Sequence, residues 1–585
     1  MLTVRSKAAF RTLAEKLVND SAFYARMIRA QMAQAARWGQ LDGKASSRLV
    51  QLAGELAAGR RQPCLSRWRR RRPQTPPPML TTTTPGSSAG GGAVREALLV
   101  AHIEAHFSDL IRVARMLKQS AEYNPSLLFA TLYPHAANDI RVCQAEGFSC
   151  RDASGELMQA IGQSSVALAT SGVPTSAASR LAALLPPPLV RFLRGPWRWC
   201  KRTTIWMPFY VLYRYRRSIR RARSLLTTCG PSILLLPEDN VGYAESISAL
   251  IEAGHQLGIP SVVIPYTIAN ELEPAEAFYG NPSQNASRGI GNRLVSALYP
   301  QWVYEHRGRR LLRLPANQIL ALEMAGLAPP RPWVLNSGYA DAVAVGSEAV
   351  RRYYVRAGLP GEKLVVTGGL ANDVMADESL DAASMREELY RELRLPAGRP
   401  MILCAMPPNQ FPRPLCPFHN YDELVRSMVR ALADIETHNV VVRPHPRVGK
   451  EELACVEESG AAISRRDTAR LIPLCDLFVA SVSATIQWAI ACGKPVVNYD
   501  VYRYRYNDYV GVGGVVTVEE EEDFRAVLRR LTTCGRFYDE IFQKQAECSH
   551  DWGVLDGRAG ERLLQLVDGL VEGNAPRAIE RSWIR

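Results

Sequence analysis

The sequence has twelve cysteines but no CxxC pair and no zinc-ligand spacing. That excludes zinc ribbons and thioredoxin-like redox chemistry, and the cysteines read as reduced core residues. Long apolar runs are also missing. None reaches the roughly 18 to 20 residues a membrane span needs, and the charged, amphipathic N-terminus lacks the apolar stretch of a signal peptide. A cytoplasmic protein is therefore expected. Acidic residues are absent from one long stretch: residues 191–223 carry eleven Arg or Lys and no Asp or Glu.

What is present reads as globular. The 585 residues are 47% hydrophobic and 22% charged, with a net charge of +14. The excess is local. Residues 59–72 and 191–223 hold it, and the remainder is near neutral, which points to patches that meet an anionic partner. In 191–223 the basic residues interleave with Trp197, Trp199, Trp206, Phe209, Tyr210, Tyr213 and Tyr215. That mixture suits the headgroup layer of an anionic bilayer. It would also suit nucleic acid, but no nucleic-acid-binding fold accompanies it. The plain alternative is a helical insertion with a solvated basic face.

Residues 1–58 read as a helical appendage and 59–95 as a Pro-, Thr- and Gly-rich linker. From residue 96 apolar strands alternate with amphipathic helices, as at "REALLVA", "SLLFATLY", "SILLLPEDN" and "IPSVVIPYT". The alternation restarts near residue 376 with strands at "MILCA", "NVVVR", "DLFVA" and "KPVVNYD". Such runs imply parallel sheets covered on both faces. The expected architecture is α/β, with two Rossmann-like doubly wound domains, 96–375 and 376–585, facing across a cleft. A basic aromatic insertion occupies about 175–230 of the first domain, and 520–574 forms a helical tail.

In open α/β sheets ligands bind beyond the carboxyl ends of the strands. Three polar loops of the second unit lie there: "PPNQF" with Asn409 and Gln410, "RPHPR" with Arg443 and His445, and "ASVSAT" with Ser481, Ser483 and Thr485. Small hydroxyls where a helix opens suit a phosphate, although one serine alone could be a plain N-cap. Prolines on both sides of His445 hold its loop extended and aim the imidazole into the crevice. In the first unit Glu238 and Asp239 end a strand. Adjacent strand residues point to opposite sides, so only one of the two should reach the cleft as a base or nucleophile. The alternative is an N-cap at Asp239 or Asn240. After the first strand, Glu104 and His106 are candidates to line the acceptor side.

These residues together resemble the GT-B glycosyltransferases. The nearer likeness is to bacterial surface-carbohydrate enzymes that use CMP-activated sugars, the sialyltransferases and Kdo transferases of capsule and lipopolysaccharide assembly. These carry an acidic motif, an HP motif and a Ser-Ser/Thr motif. The resemblance implies catalysis by Asp239 or Glu238. It implies donor binding by His445, Ser481, Ser483 and Thr485, with no cofactor and no metal; Arg443, Asn409 and Gln410, on the same rim, are expected to join them. The partners implied are a nucleotide-sugar donor and a glycan or lipid-linked acceptor; the composition of 191–223 adds the expectation of an anionic membrane and no nucleic acid. The place of work is the inner face of the membrane. Two departures stand out: Asn240 where the acidic motif has Gly, and Trp488 where many UDP-sugar enzymes carry a ribose-binding Glu. They leave open a UDP-GlcNAc 2-epimerase-like or glycerophosphotransferase-like activity, or a non-catalytic assembly protein at the membrane.

Overall fold

The computed structural model describes residues 94–158 and 207–573, apart from 132, 134–135, 267–269, 412, 414, 446–447, 449 and 459–460. The expected appendage at 1–58, the linker up to residue 93 and the first part of the basic insertion lie outside the described residues.

The first half opens with β1 (Arg95–Ala101), α1 (Glu104–Gln119), β2 (Tyr123–Phe129), α2 (Ala136–Ala145) and β3 (Ser149–Arg151). It continues through α3 (Met207–Cys229), β4 (Ile233–Leu236), α4 (Ala249–Leu257) and β5 (Ser261–Val263). A helical and hairpin segment follows: α5 (Leu272–Phe278), α6 (Gly289–Leu298), β6 (Val303–His306), β7 (Arg309–Leu312) and α7 (Ala316–Ala325). The half closes with β8 (Ala342–Val345), α8 (Glu348–Arg356) and β9 (Leu364–Val366).

The second half runs α9 (Leu370–Leu380), α10 (Ala382–Leu393), β10 (Met401–Ala405), α11 (Tyr421–Ala433), β11 (Asn439–Arg443), α12 (Lys450–Glu458) and β12 (Ala462–Ile463). Then come α13 (Thr468–Leu471), β13 (Leu477–Ala480), α14 (Ile486–Ala491), β14 (Val496–Tyr499) and β15 (Val515–Val518). The tail is α15 (Glu521–Thr533), α16 (Gly535–Trp552) and α17 (Ala559–Val571).

Both sheets are parallel. Their orders are β3-β2-β1-β4-β5-β8-β9 and β12-β11-β10-β13-β14-β15. Each therefore reverses its winding between its first strand and the fourth to enter, at β1/β4 and at β10/β13. This is the doubly wound order, and the crevice for a ligand opens where the winding reverses. The central strands, such as Ile233–Leu236 and Leu477–Ala480, are apolar throughout because helices cover both faces. Leu99 and Leu235 pack towards one side, Leu98, Leu234 and Leu236 towards the other. In the second sheet Ile402 and Cys404 oppose Met401 and Leu403 in the same way. Each fully buried Leu or Ile contributes about 1.5 to 3 kcal/mol, so two-sided burial is what fixes these strands.

Three expectations are refined. The antiparallel pair β6–β7 and its flanking helices break the strand–helix alternation between β5 and β8. The helix that the strand–helix alternation implies after β4 begins as a π turn at Ala244–Ser248 and becomes α-helical only at Ala249. The tail, assigned to the second domain, divides: Phe524 and Leu528 of α15 join the second core, while Leu563, Leu566 and Val567 of α17 pack on the first sheet. All nine cysteines described are unpaired, with Cys404 and Cys475 buried.

Candidate active site

A cleft of about 570 Å³ lies between the two halves, and residues following β4, β10, β11 and β13 line it. The carboxyl ends of both sheets thus face one ligand-sized space.

Past β4 the two adjacent carboxylates have opposite fates. Asp239 is fully buried and accepts the backbone N–H of Ser337, Tyr339 (2.7 Å) and Ala340 (3.2 Å), with the Ser337 hydroxyl at 3.0 Å. Its oxygens are saturated by the turn before β8. It is a scaffold residue that does not line the cleft, which corrects the expectation of a catalytic Asp239. Glu238 lines the cleft at 1% exposure, and neither of its oxygens accepts a well-aligned hydrogen bond among the described residues. A buried carboxylate left in that state has unspent capacity for a ligand proton.

Behind Glu238 stands His106, with Nε2 3.2 Å from the carboxylate. The backbone N–H of His102 donates to His106 Nδ1 (3.3 Å). In the neutral ring the proton therefore sits on Nε2 and faces Glu238. Tyr266 packs edge-on against the imidazole at 4.7 Å. His106 is fully buried and does not line the cleft, so it positions Glu238 and does not touch an acceptor, contrary to expectation. Glu104 sits half-buried in the first turn of α1, also off the cleft wall.

The opposite lip is the loop after β13. Ser481, Val482, Ser483 and Ala484 line the cleft. Val482 has φ of +44°, a strained conformation for a β-branched residue. It is held by Asn498 Oδ1, which accepts its N–H at 2.9 Å, and by the Tyr509 hydroxyl, which donates to the Ser483 carbonyl at 3.0 Å. The Ser483 and Thr485 hydroxyls pair at 2.8 Å. Thr485 lies outside the cleft lining and supports Ser483 from behind, a correction to its expected contact with donor. Ser481 Oγ is buried and has no partner among the described residues.

His445 and Gln410 line the cleft as expected. Arg443 and Asn409 do not. Arg443 Nη1 donates to the Pro444 carbonyl at 2.6 Å, and Asn409 Oδ1 accepts from Phe411 N–H at 3.1 Å, so each is turned into its own loop. Pro446, the second of the two prolines, lies outside the described residues.

Sequence reading missed several cleft residues. Arg313, just past β7, is 7% exposed; its Nη2 donates to Asn240 Oδ1 (3.1 Å) and its Nε to the Pro332 carbonyl (3.2 Å). Burial pulls its pKa down to about 10, against the fields of Glu238 and Glu273. Asn240, anomalous as a motif residue, thus has a reason: it holds this guanidinium. Asp508, pushed up to about 6 by burial, accepts from Asn270 Nδ2 at 2.9 Å and ties the two halves across the cleft. Tyr502, Tyr504, Tyr506 and Tyr509 add an aromatic wall. The alternation in "YRYRYND" was a visible signal for that wall, whereas nothing near Arg313 in sequence marked it.

Two doubly wound parallel sheets with their carboxyl ends turned to a shared cleft define the GT-B architecture. No family model and no curated protein matches the sequence. Among solved structures, UDP-GlcNAc 2-epimerase from Neisseria meningitidis bound to UDP-GlcNAc is 14% identical, over 80% of this chain and 98% of that one, with a TM-score of 0.43. The wall teichoic acid polymerase TagF is 9% identical, over 82% and 89%, with a TM-score of 0.43. A glycosyltransferase from Rickettsia africae is 11% identical, over 82% and 100%, with a TM-score of 0.42. Likenesses of this size concern the fold alone, and the fold assignment rests on the strand orders.

Proposed function

We propose that this protein is a glycosyltransferase that moves a sugar from a nucleotide-activated donor to a hydroxyl of a glycan or lipid-linked acceptor. The observation that carries the reading is that one cleft is lined by Glu238, a buried carboxylate without a well-aligned donor among the described residues, and by Ser481, a buried hydroxyl without a partner among them. Donor phosphate lies against the Ser481–Ser483 loop, with His445 donating to it. Arg443, Thr485 and Asn409 support that lip without touching it, and Gln410 closes its side. Glu238 takes the proton of the acceptor hydroxyl. The freed oxygen bonds to the anomeric carbon while the bond from that carbon to phosphate oxygen breaks, and the nucleotide leaves with the electron pair. Charge developing on the phosphate is met by loop N–H groups, hydroxyls and His445. His106 Nε2, 3.2 Å from the carboxylate, backs it on the side away from the cleft.

A CMP-linked donor is the preferred reading, because α14 offers no carboxylate to a ribose: Trp488 stands there and lines a separate cavity of about 60 Å³. The work belongs to cell-surface polysaccharide synthesis at the inner face of the membrane, with the basic aromatic segment 191–223 as the contact. The test is thermal shift with CMP, UDP, CDP and GDP, followed by nucleotide release with and without acceptor glycans. A selective shift with CMP and acceptor-dependent release are expected. Isomerisation of the donor with no acceptor present would replace the transferase reading with an epimerase.

A further inference from the structure

The ten-residue helix α6 carries Ile290, Leu294 and Leu298 at intervals of four, with exposures of 87%, 56% and 56%. That spacing puts them in one stripe on one face. On the other side of the helix Val295 is buried with Val211, Leu212 and Tyr215 of α3 and with Trp302 and Leu312. So α3 and α6 belong to one lobe with one core. The outward side of α3 shows Phe209, Tyr210 and Tyr213, then Arg214, Arg216, Arg217, Arg220, Arg221 and Arg223. Arg288 and Arg293 are exposed beside the α6 stripe. Residues 207–230 and 285–302 contain no acidic side chain.

We infer that α6 is a bilayer-insertion element: its aliphatic stripe enters an anionic lipid surface while the arginines of α3 and α6 hold the headgroups. The partner follows from charge and shape. Phe209, Tyr210 and Tyr213 of α3 could meet bases or lipid alike, but the aliphatic stripe of α6 gives bases nothing to stack on, and a nucleic acid would leave it uncovered. A symmetric contact with a second copy would set the same arginines against each other. An anionic bilayer answers both the stripe and the cations. The lobe also adjoins the cleft: Leu312 and Leu314 point into its core, and Arg313 between them lines the cleft. An acceptor presented at the membrane surface would therefore arrive next to Glu238. The inference takes its partner from the membrane reading of 191–223, but its site is new.

The experiment is flotation of the full-length protein with phosphatidylcholine vesicles, with and without phosphatidylglycerol, at low and high salt. Two variants are compared: Ile290→Ser/Leu294→Ser/Leu298→Ser, and Arg216→Ser/Arg217→Ser/Arg220→Ser. All six positions are exposed, so thermal midpoints should match wild type and report folding. Wild type should partition onto the anionic vesicles. The stripe variant should lose about tenfold or more, as removal of even one inserted aliphatic chain implies. The arginine variant should lose the salt-sensitive part of binding. Wild-type partitioning by the stripe variant overturns the inference and leaves the membrane reading standing. No vesicle binding by any form overturns both. A dimer that the stripe variant converts to monomer, or tighter binding to single-stranded RNA than to vesicles, assigns the face elsewhere and also overturns it.

Discussion

The loop after β4 and the loop after β13 solve the same problem in opposite materials. The first ends its strand on two carboxylates, the second on small hydroxyls. In each, most of the hydrogen-bonding capacity is consumed by the fold and one group is left over. Asp239 is consumed by the turn at 337–340, and Glu238 is left. Thr485 is consumed by Ser483 and Val482 N–H by Asn498, and the Ser481 hydroxyl is left. The residues to assign to ligand are those the scaffold does not use, because a buried polar group without a partner is costly unless a ligand supplies one.

The sharpest attack on this comparison is Glu238→Gln. Steady-state nucleotide release should fall by about a hundredfold or more, the usual loss on removing a general base. The thermal midpoint should hold, because no well-aligned bond is lost. Turnover within threefold of wild type would end the assignment.

Asp239→Ala should do the reverse. It strips the acceptor from the backbone N–H groups of Ser337, Tyr339 and Ala340. A loss of about 3 kcal/mol or more is expected in denaturant unfolding, since each stranded buried donor costs about 1 to 3 kcal/mol. A stable variant with abolished turnover would exchange the two roles.

The support behind Glu238 has its own pH signature. Burial and the neighbouring His106 depress the pKa of His102 from 6.5 to about 4. Between these values the unfolded chain binds the proton and the folded one does not. Stability is therefore complete above pH 6.5 and falls as pH drops towards 4, by about 3 kcal/mol in all. In His102→Gln that part of the acid-side loss should vanish when unfolding free energy is followed against pH. An unchanged acid limb would show that His102 is not neutral and buried as described.

The smallest effect belongs to the other loop. Ser481→Ala removes a hydroxyl that bonds nothing among the described residues, so the thermal midpoint should stay put. Donor affinity should weaken by about tenfold, the worth of one bond to a charged oxygen. Equal donor affinity in calorimetry would take the phosphate away from this loop.

Much of this was legible in one dimension. Runs such as "ILLL" and "LFVA" are buried on both faces, so they announce parallel strands whatever the neighbours are. The position of "ASVSAT" and "RPHP" after such strands announced the rim. Strand alternation also showed that only one of Glu238 and Asp239 could face the cleft. Which one was not legible, because the deciding donors lie some hundred residues downstream at Ser337 to Ala340. His106 looked like an acceptor ligand because its distance from the surface is a property of packing. Arg443 and Asn409 looked like donor ligands because their loops are at the rim, yet each spends a side-chain bond inside its own loop, Arg443 Nη1 on the Pro444 carbonyl and Asn409 Oδ1 on the Phe411 N–H.

The sequence by itself determined two doubly wound sheets, the rim on which ligands must sit, and a basic aromatic insertion, since these follow from local periodicity and composition. Only the tertiary structure decided which polar groups are free to act. Hydrogen-bond saturation depends on partners brought together by the fold, as Arg313 with Asn240 and Asp508 with Asn270 demonstrate. The exposed stripe of α6 belongs to the same class of fact, because whether an apolar helix face is core or surface depends on what packs against it.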